Sequence, residues 1–459
     1  MKWGGAPART RLALVLGFIV TVTWVSLTRP LSPLYHYLHS KSVILREAHA
    51  RNHYRLNEAR DYFRNLQHFK GKPSNNDLQH LNNGTNFASE SVKFVIVVIT
   101  TERVALERGE AEGDSGYLLQ TAAKMHAEIH RVGPMNGSFL FVCNVDTNPE
   151  KHGDAVFLRD YIPFVELHGS SSYSLNLEPP KRKLPYPQLY HNTAVDKERW
   201  DYIFCLHSAL ALTPRSEYVM VLQDDVIPLP DMSIVLEDVL ERIRFPEKSK
   251  KAELRASVLS LPVPILSLPV PEKRTHFTAS TEIEPECVRS FAFLKLYLPE
   301  KWRGFYLLDP LRMIDLASFA VLGAAVFLVL LRISFPNPKS FRSSWLKLLE
   351  GLVFSTTLCL LVGRANLNEL RRASKHFYRL QPAPGCCTPA MLYPADVLPV
   401  LMTWLAESPA AMPVDMRIDG IAGSLGLPGL CVEPVLFRHI GMSSTLGHSS
   451  ERPEEFLLV

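Results

Sequence analysis

Three apolar runs limit what this chain can become. Leu12 to Thr28 (LALVLGFIVTVTWVSLT) carries no charge over about 17 residues, the lower limit for spanning a bilayer. It is longer than a usual signal-peptide core and leads into Arg29-Pro30 without a small-x-small cleavage site, so a retained anchor is expected. Lys2, Arg9 and Arg11 precede it without an acid, which keeps the N-terminus cytosolic and sends the following chain across. Leu316 to Leu331 and Gly351 to Gly363 are shorter, and length alone would allow a pair of core helices. The connector decides for a membrane hairpin: Arg332, Lys339, Arg342 and Lys347 all occur before the first acid, Glu350. A basic turn belongs on the cytosolic side, so one orientation satisfies all three runs.

The remaining chain is then extracytoplasmic. The whole chain divides into a cytosolic tail (1–11), an anchor (12–28), a stem and linker (29–91), a first domain part (92–310) with an insertion at 247–285, a hairpin (311–365) turning at 332–347, and a second domain part (366–459). Lys+Arg 50 against Asp+Glu 46 leaves a net charge of +4, too balanced for a nucleic-acid binder. Asn83 and Asn136 open glycosylation sequons on the same side, and six of seven cysteines lie there too. Cys143, Cys205, Cys386 and Cys387 are disulfide candidates whose pairing the spacing leaves open; adjacent Cys386-Cys387 could bridge each other or two other partners. No CxxC spacing supports zinc.

Between Pro33 and Lys72 the chain is charged, with apolar positions at Leu56, Phe63 and Leu66, and predicts a helical stem; Gly71 to Ser91 predicts a linker. Val92 to Thr101 (VKFVIVVITT) is too continuously β-branched for an amphipathic helix and predicts a buried parallel-type strand. Ser138 to Cys143 and Tyr218 to Leu222 repeat that pattern, with helical spacing over Tyr117 to Val132 and Trp200 to Leu212. Alternating strands and helices imply an α/β doubly wound sheet, whose ligands bind at the carboxyl ends of the strands. Leu259 to Pro271 repeats LSLPVP, too few copies for a solenoid.

The third strand runs into Gln223-Asp224-Asp225. Adjacent carboxylates at the mouth of a buried strand repel each other unless a cation joins them. Hard oxygen ligands suit Mg²⁺ or Mn²⁺, which also bridge a diphosphate. Capping acids at a strand end are the alternative.

Four ordered blocks carry a resemblance. They are Lys197 to Asp231, Phe291 to Phe305, Pro413 to Gly420 (PVDMRIDG) and Pro434 to Leu446 (PVLFRHIGMSSTL). Lys197 to Asp231 resembles the donor half of GT-A glycosyltransferases, in particular the N-acetylglucosaminyltransferase IV group, in which a strand ends in Glu-Asp-Asp. Gln223 replaces the first acid here, so the metal would rely on Asp225 with Asp224 nearby. An anchor plus a GT-A domain split by two tandem membrane segments is similar to the post-GPI-attachment N-acetylgalactosamine transferases. The resemblance implies a multi-pass Golgi membrane enzyme with a luminal GT-A domain, UDP-GalNAc as donor, Mn²⁺ or Mg²⁺ as cofactor, and the first mannose of a GPI glycolipid or GPI-anchored protein as acceptor.

Site roles follow from the same resemblance. Thr100, Thr101 and Arg103, with Asp146 a weaker candidate, would line the uridine diphosphate. Asp225 would bind the metal, Asp224 would orient the sugar or a metal-bound water, and His439 would complete the metal shell or meet the diphosphate. Making a β-linkage from an α-linked nucleotide sugar requires inversion, hence one carboxylate base and no covalent nucleophile. Asp415 is the first candidate and Asp419 the second; helical i, i+4 spacing puts both on one face. A GlcNAc-transferring enzyme of N-glycans and an inactive GT-A scaffold are the alternatives, the latter favoured by Gln223.

Overall fold

The computed structural model describes residues 17, 19–24, 28, 32, 35, 39–70, 92–102, 116–167, 193–244, 291–299, 304–305, 309–334, 344–408 and 412–442. Asn83, Arg103, most of the first apolar run, the linker, the 247–285 insertion and the middle of the hairpin turn lie outside them.

In chain order the elements are α1 (Lys41–Lys70), β1 (Phe94–Thr100), α2 (Tyr117–His130), β2 (Phe139–Asn144), α3 (Gly153–Leu158), β3 (Phe164–Glu166), α4 (Ala194–Leu212), β4 (Tyr218–Gln223), β5 (Val226–Pro228), α5 (Met232–Arg244) and β6 (Phe293–Lys295). Then come α6 (Pro310–Ser334), α7 (Ser344–Val362), α8 (Arg364–Asn368), β7 (Arg379–Pro382), β8 (Ala390–Pro394), α9 (Leu398–Glu407), α10 (Val414–Leu425), β9 (Gly429–Glu433) and β10 (Phe437–His439).

Eight strands form one mostly parallel sheet in the order β3-β2-β1-β4-β8-β6-β9-β7. β1, β2, β3 and β4 all run parallel, and β8 enters antiparallel beside β4. Strand alternation sends Phe94, Ile96 and Val98 of β1 into one core with α1, α2 and α5, and Val95 and Val97 into another with α4, α9 and α10. Helices thus cover both faces, which is why the strands read as continuous apolar runs rather than alternating ones. The helix expected as a stem forms, and it packs Leu56, Ala59 and Phe63 into the first core. Gly116, which precedes α2, is required twice over: its φ is +64°, and a Cβ there would sit 2.2 Å from Leu56.

β6 precedes the hairpin in sequence, yet it lies between β8 and β9, which follow it. The hairpin therefore leaves and re-enters one sheet. α6 and α7 are long and apolar enough to cross a bilayer. They meet along small residues: a Cβ at Gly323 would lie 2.8 Å from Ser355 Oγ, and one at Gly351 would lie 3.4 Å from the Ala324 Cβ. Val321, Leu322, Val326, Val329 and Leu330 of α6 and Leu346, Leu349 and Val353 of α7 point outward and exposed. That outer surface differs from the helices of the sheet, whose apolar faces are covered.

Candidate active site

The carboxyl ends of β1, β2 and β4 form one rim, as parallel register demands: Thr100 pairs with Asn144, and Ile99 with Gln223. Just past Gln223, Asp224 and Asp225 are both buried, at 5% and 1% exposure, and their side chains diverge. Asp224 Oδ2 accepts the Thr100 hydroxyl at 2.8 Å. Having given its one proton to Asp224, Thr100 Oγ1 accepts from His152 Nε2–H, also at 2.8 Å. Thr121 donates to the Asp224 carbonyl at 2.6 Å. The carboxylate of Asp224 is thus oriented towards β1.

Asp225 turns the other way. Its Oδ2 lies 3.0 Å from His439 Nε2. A two-stranded antiparallel ribbon creates that contact by pairing His439 of β10 with Val226 of β5. The Ile440 amide donates to the Asp225 carbonyl at 2.7 Å, and Tyr117, Ile227 and Ile440 form an apolar cluster beside the ribbon. Tyr297, in the block after β6, stacks on the His439 ring at 5.7 Å. Among the described residues no three His, Cys, Asp or Glu converge as a ready-made metal centre. A carboxylate oxygen and an imidazole nitrogen at 3.0 Å nevertheless suit a divalent cation as two of its ligands.

Asp146 follows β2. Its Oδ2 accepts the Thr101 hydroxyl at 3.0 Å and the Glu102 amide at 2.9 Å, and its Oδ1 accepts the Asn148 amide at 2.6 Å. Burial pushes this acid up, but the three donors outweigh it and hold its pKa below the usual aspartate value.

A second set of acids reaches the same rim from α10. Because β8 is antiparallel to β4, its start lies at the carboxyl end of β4, where Gln223 donates its amide to the Pro389 carbonyl at 2.8 Å. Upstream of that point the Cys387 amide donates to Asp415 Oδ2 at 3.1 Å. Asp415, in the first turn of α10, also accepts its neighbour Met416's amide at 2.8 Å. Asp419 is held differently: the Lys295 ammonium, fully buried, lies 2.8 Å from its Oδ1 and donates to the carbonyls of Pro384 and Cys386 at 2.8 and 2.6 Å. Burial still raises the Asp419 pKa, with Lys295 opposing and Asp415 adding to the rise.

Two acids of α4 belong to this rim although the sequence did not single them out. Burial, with Asp415 and Asp201 as charged neighbours, raises the Glu198 carboxyl to about 7. Burial likewise raises Asp201 to about 6, against the pull of Lys197, whose Nζ lies 2.5 Å away. Both fall in the KERWD stretch that opens the first block of resemblance, where they read as ordinary helix acids. Their signal was position, on a helix whose neighbours Trp200 and Ile203 pack against the strands. His152, Lys295 and Tyr297 were also missed; each gains its role from a partner remote in sequence.

The sequence candidates therefore gather on one rim in three groups: Thr100 with Asp224, Thr101 with Asp146, and Asp225 with His439, with Asp415 and Asp419 reaching it from α10. Cys143 and Cys205 are disulfide-bonded, tying β2 to α4, whereas Cys386 and Cys387 are free thiols. Asn136 lies on an exposed turn beside Gly137, whose φ is +80°. A family model described as GPI-N-acetylgalactosamine transferase PGAP4 matches residues 94–438, from the start of β1 into β10.

Proposed function

Because the match covers most of the chain, the protein belongs to the GPI-N-acetylgalactosamine transferase PGAP4 family, and from that premise we propose that it transfers N-acetylgalactosamine from UDP-GalNAc to the first mannose of a GPI glycan. The transfer inverts the anomeric centre and uses a divalent cation, Mn²⁺ or Mg²⁺. The fold is of the GT-A kind; four parallel strands followed by an antiparallel one, with acids at the carboxyl end of the fourth, support this reading. The observation that carries the donor site is the pairing of Asp225 with His439 across 214 residues of sequence, on the rim that also holds Asp224 and Asp146.

Asp225 and His439 would hold the cation, which when bound neutralises charge on the departing diphosphate. Asp224, oriented by Thr100 and His152, faces the sugar side, and Thr101 with Asp146 shapes the nucleotide side. Asp415 takes the proton from the acceptor hydroxyl as that oxygen attacks the anomeric carbon and the bond to UDP breaks. Its partner Asp419 is committed to an ion pair with buried Lys295, which supports Asp415 as the base.

The hairpin crosses the membrane of a secretory compartment, the Golgi, and leaves the sheet on the luminal side. Ser32, just beyond the first apolar run, donates its hydroxyl to the carbonyl of Leu361 at the end of α7, 2.7 Å away. That contact supports one shared membrane face for the exits of both segments.

The test is transfer by the full chain from a panel of UDP-sugars to a GPI acceptor, with and without Mn²⁺. Selective UDP-GalNAc use that needs the cation and disappears in Asp225→Ala is expected. Cation-independent transfer, or full activity in that variant, would refute the metal assignment. Transfer of GlcNAc to N-glycans instead would refute the acceptor.

A further inference from the structure

A second cluster of buried charges sits where the hairpin meets the sheet. Asp315 lies near the start of α6, Arg364 opens α8 directly after α7, Arg379 is on β7, and Glu433 ends β9. Arg364 Nε and Nη2 reach Asp315 Oδ2 at 3.0 and 2.8 Å, while its Nη1 and Nη2 reach the two Glu433 oxygens at 2.6 and 2.7 Å. From the other side Arg379 joins the same acids: Nη1 lies 2.8 Å from Asp315 Oδ1, and Nη2 lies 2.9 Å from Glu433 Oε2. Asn368 donates to Glu433 Oε1 at 3.0 Å. Arg364 is 1% exposed, and the two acids are scarcely more so.

Burying this many charges is a poor route to stability, since well-packed apolar side chains of similar volume do as well or better. What paired guanidinium forks add is angle: each holds a carboxylate in a plane at two points. Here the forks bind one acid from the first hairpin helix and one from the catalytic sheet, through an arginine at the exit of the second hairpin helix. The connection continues to the rim. Arg372 donates to the Val435 carbonyl at 3.0 Å, and His439 follows four residues later in the same segment.

We propose that Arg364, Asp315, Glu433 and Arg379 form a positioning lock that fixes the angle of the catalytic sheet on the hairpin, so that a bilayer-anchored acceptor sugar meets the rim at Asp415 and Asp225. The lock rests on the reading above, in which the hairpin crosses the membrane and the acceptor is lipid-linked. None of the four residues touches substrate. Their effect is on where the acceptor arrives, and it is confined to acceptors whose position the bilayer dictates.

The experiment uses the full chain in vesicles, UDP-GalNAc, and two acceptors: a GPI embedded in the same bilayer and the corresponding water-soluble glycan without lipid. Arg364→Lys keeps the charge and removes the fork. Its kcat/KM on the embedded acceptor should fall about tenfold to a hundredfold, as small misplacements do. KM for UDP-GalNAc and turnover of the soluble glycan should stay within about threefold of wild type. Equal loss on both acceptors at unchanged melting temperature, or no loss on either, overturns the lock. Should Arg364→Lys also lower the melting temperature, Arg379→Gln at the partly exposed edge decides. The same split at smaller size supports the proposal, and an equal fall or no change overturns it. Wild-type protein that transfers to neither acceptor removes the functional premise, and the lock with it; wild type active on both with no split in the variants refutes the lock alone.

Discussion

The rim and the hairpin junction both bury carboxylates, and they do so under opposite terms. At the junction every acid meets a guanidinium: burial would raise Glu433, but Arg364 and Arg379 bring it below the usual glutamate value. At the rim Glu198 and Asp201 are raised to about 7 and about 6, because burial and neighbouring acids exceed what Lys197 and Arg417 return. A compensated cluster is complete within the protein and serves its architecture. An undercompensated one favours uptake of positive charge, whether a proton or a cation brought with a ligand, and such imbalance is what chemistry requires of a site.

The contrast is tested most strongly at Glu433. Replacing it with alanine strands Arg364 and Arg379 beside Asp315 in a buried space, and removing one partner of such a pair costs about 3–5 kcal/mol. At roughly 2–4 °C per kcal/mol, melting should fall by roughly 10 °C. Thermal unfolding of the purified full chain checks it. A drop no larger than that of an exposed-pair variant such as Glu58→Ala, whose Lys124 partner sits near the surface, would erase the distinction.

How far the sequence exposed each region also differs. β1, β2 and β4 were legible because both their faces are buried, which leaves long β-branched runs that no amphipathic helix would carry. The three-residue strands β6 and β10 have no period to detect, so the half of the sheet built around the hairpin emerged only in three dimensions. Asp224 and Asp225 stood out as a pair, yet their divergence, one to Thr100 and one to His439, depends on contacts 124 and 214 residues apart. Local spacing cannot encode such contacts; His439 entered only through a family resemblance. The lock was hidden for a related reason. Asp315 immediately precedes the apolar run Leu316 to Leu331, and α6 begins five residues before it and carries that acid inside the helix.

A smaller effect of opposite sign is expected at Glu198. Its folded-state pKa, about 7, lies above the usual 4.5. A raised acid favours the fold while protonated, so its contribution is fully present below pH 4.5 and is lost as pH rises through about 7. Glu198→Gln removes the loss. The variant should match wild type near pH 4 and be more stable at pH 8 by about 2 kcal/mol, allowing for solvent at a half-buried carboxyl. Melting curves across that range measure it. Equal stabilisation at both pH values would show that the change acts through packing rather than charge.

Asp146 offers the finest test, because it sits on the uncompensated rim but behaves like the junction acids. Backbone and hydroxyl donors hold its pKa down where an arginine does so for Glu433. With the folded pKa below the usual 3.8, its contribution is present above pH 3.8 and disappears as pH falls through the depressed value. Asp146→Asn should therefore cost about 1 kcal/mol at pH 7, the charge-assisted part of its hydrogen bonds, and progressively less towards pH 2. The slope of stability against pH between 2 and 5 should flatten in the variant, opposite in sign to the Glu198 effect and at the other end of the scale. An unchanged slope would mean that Asp146 is not held ionised by its three donors. The division would then run between arginine-paired acids and all others, rather than between satisfied and unsatisfied ones.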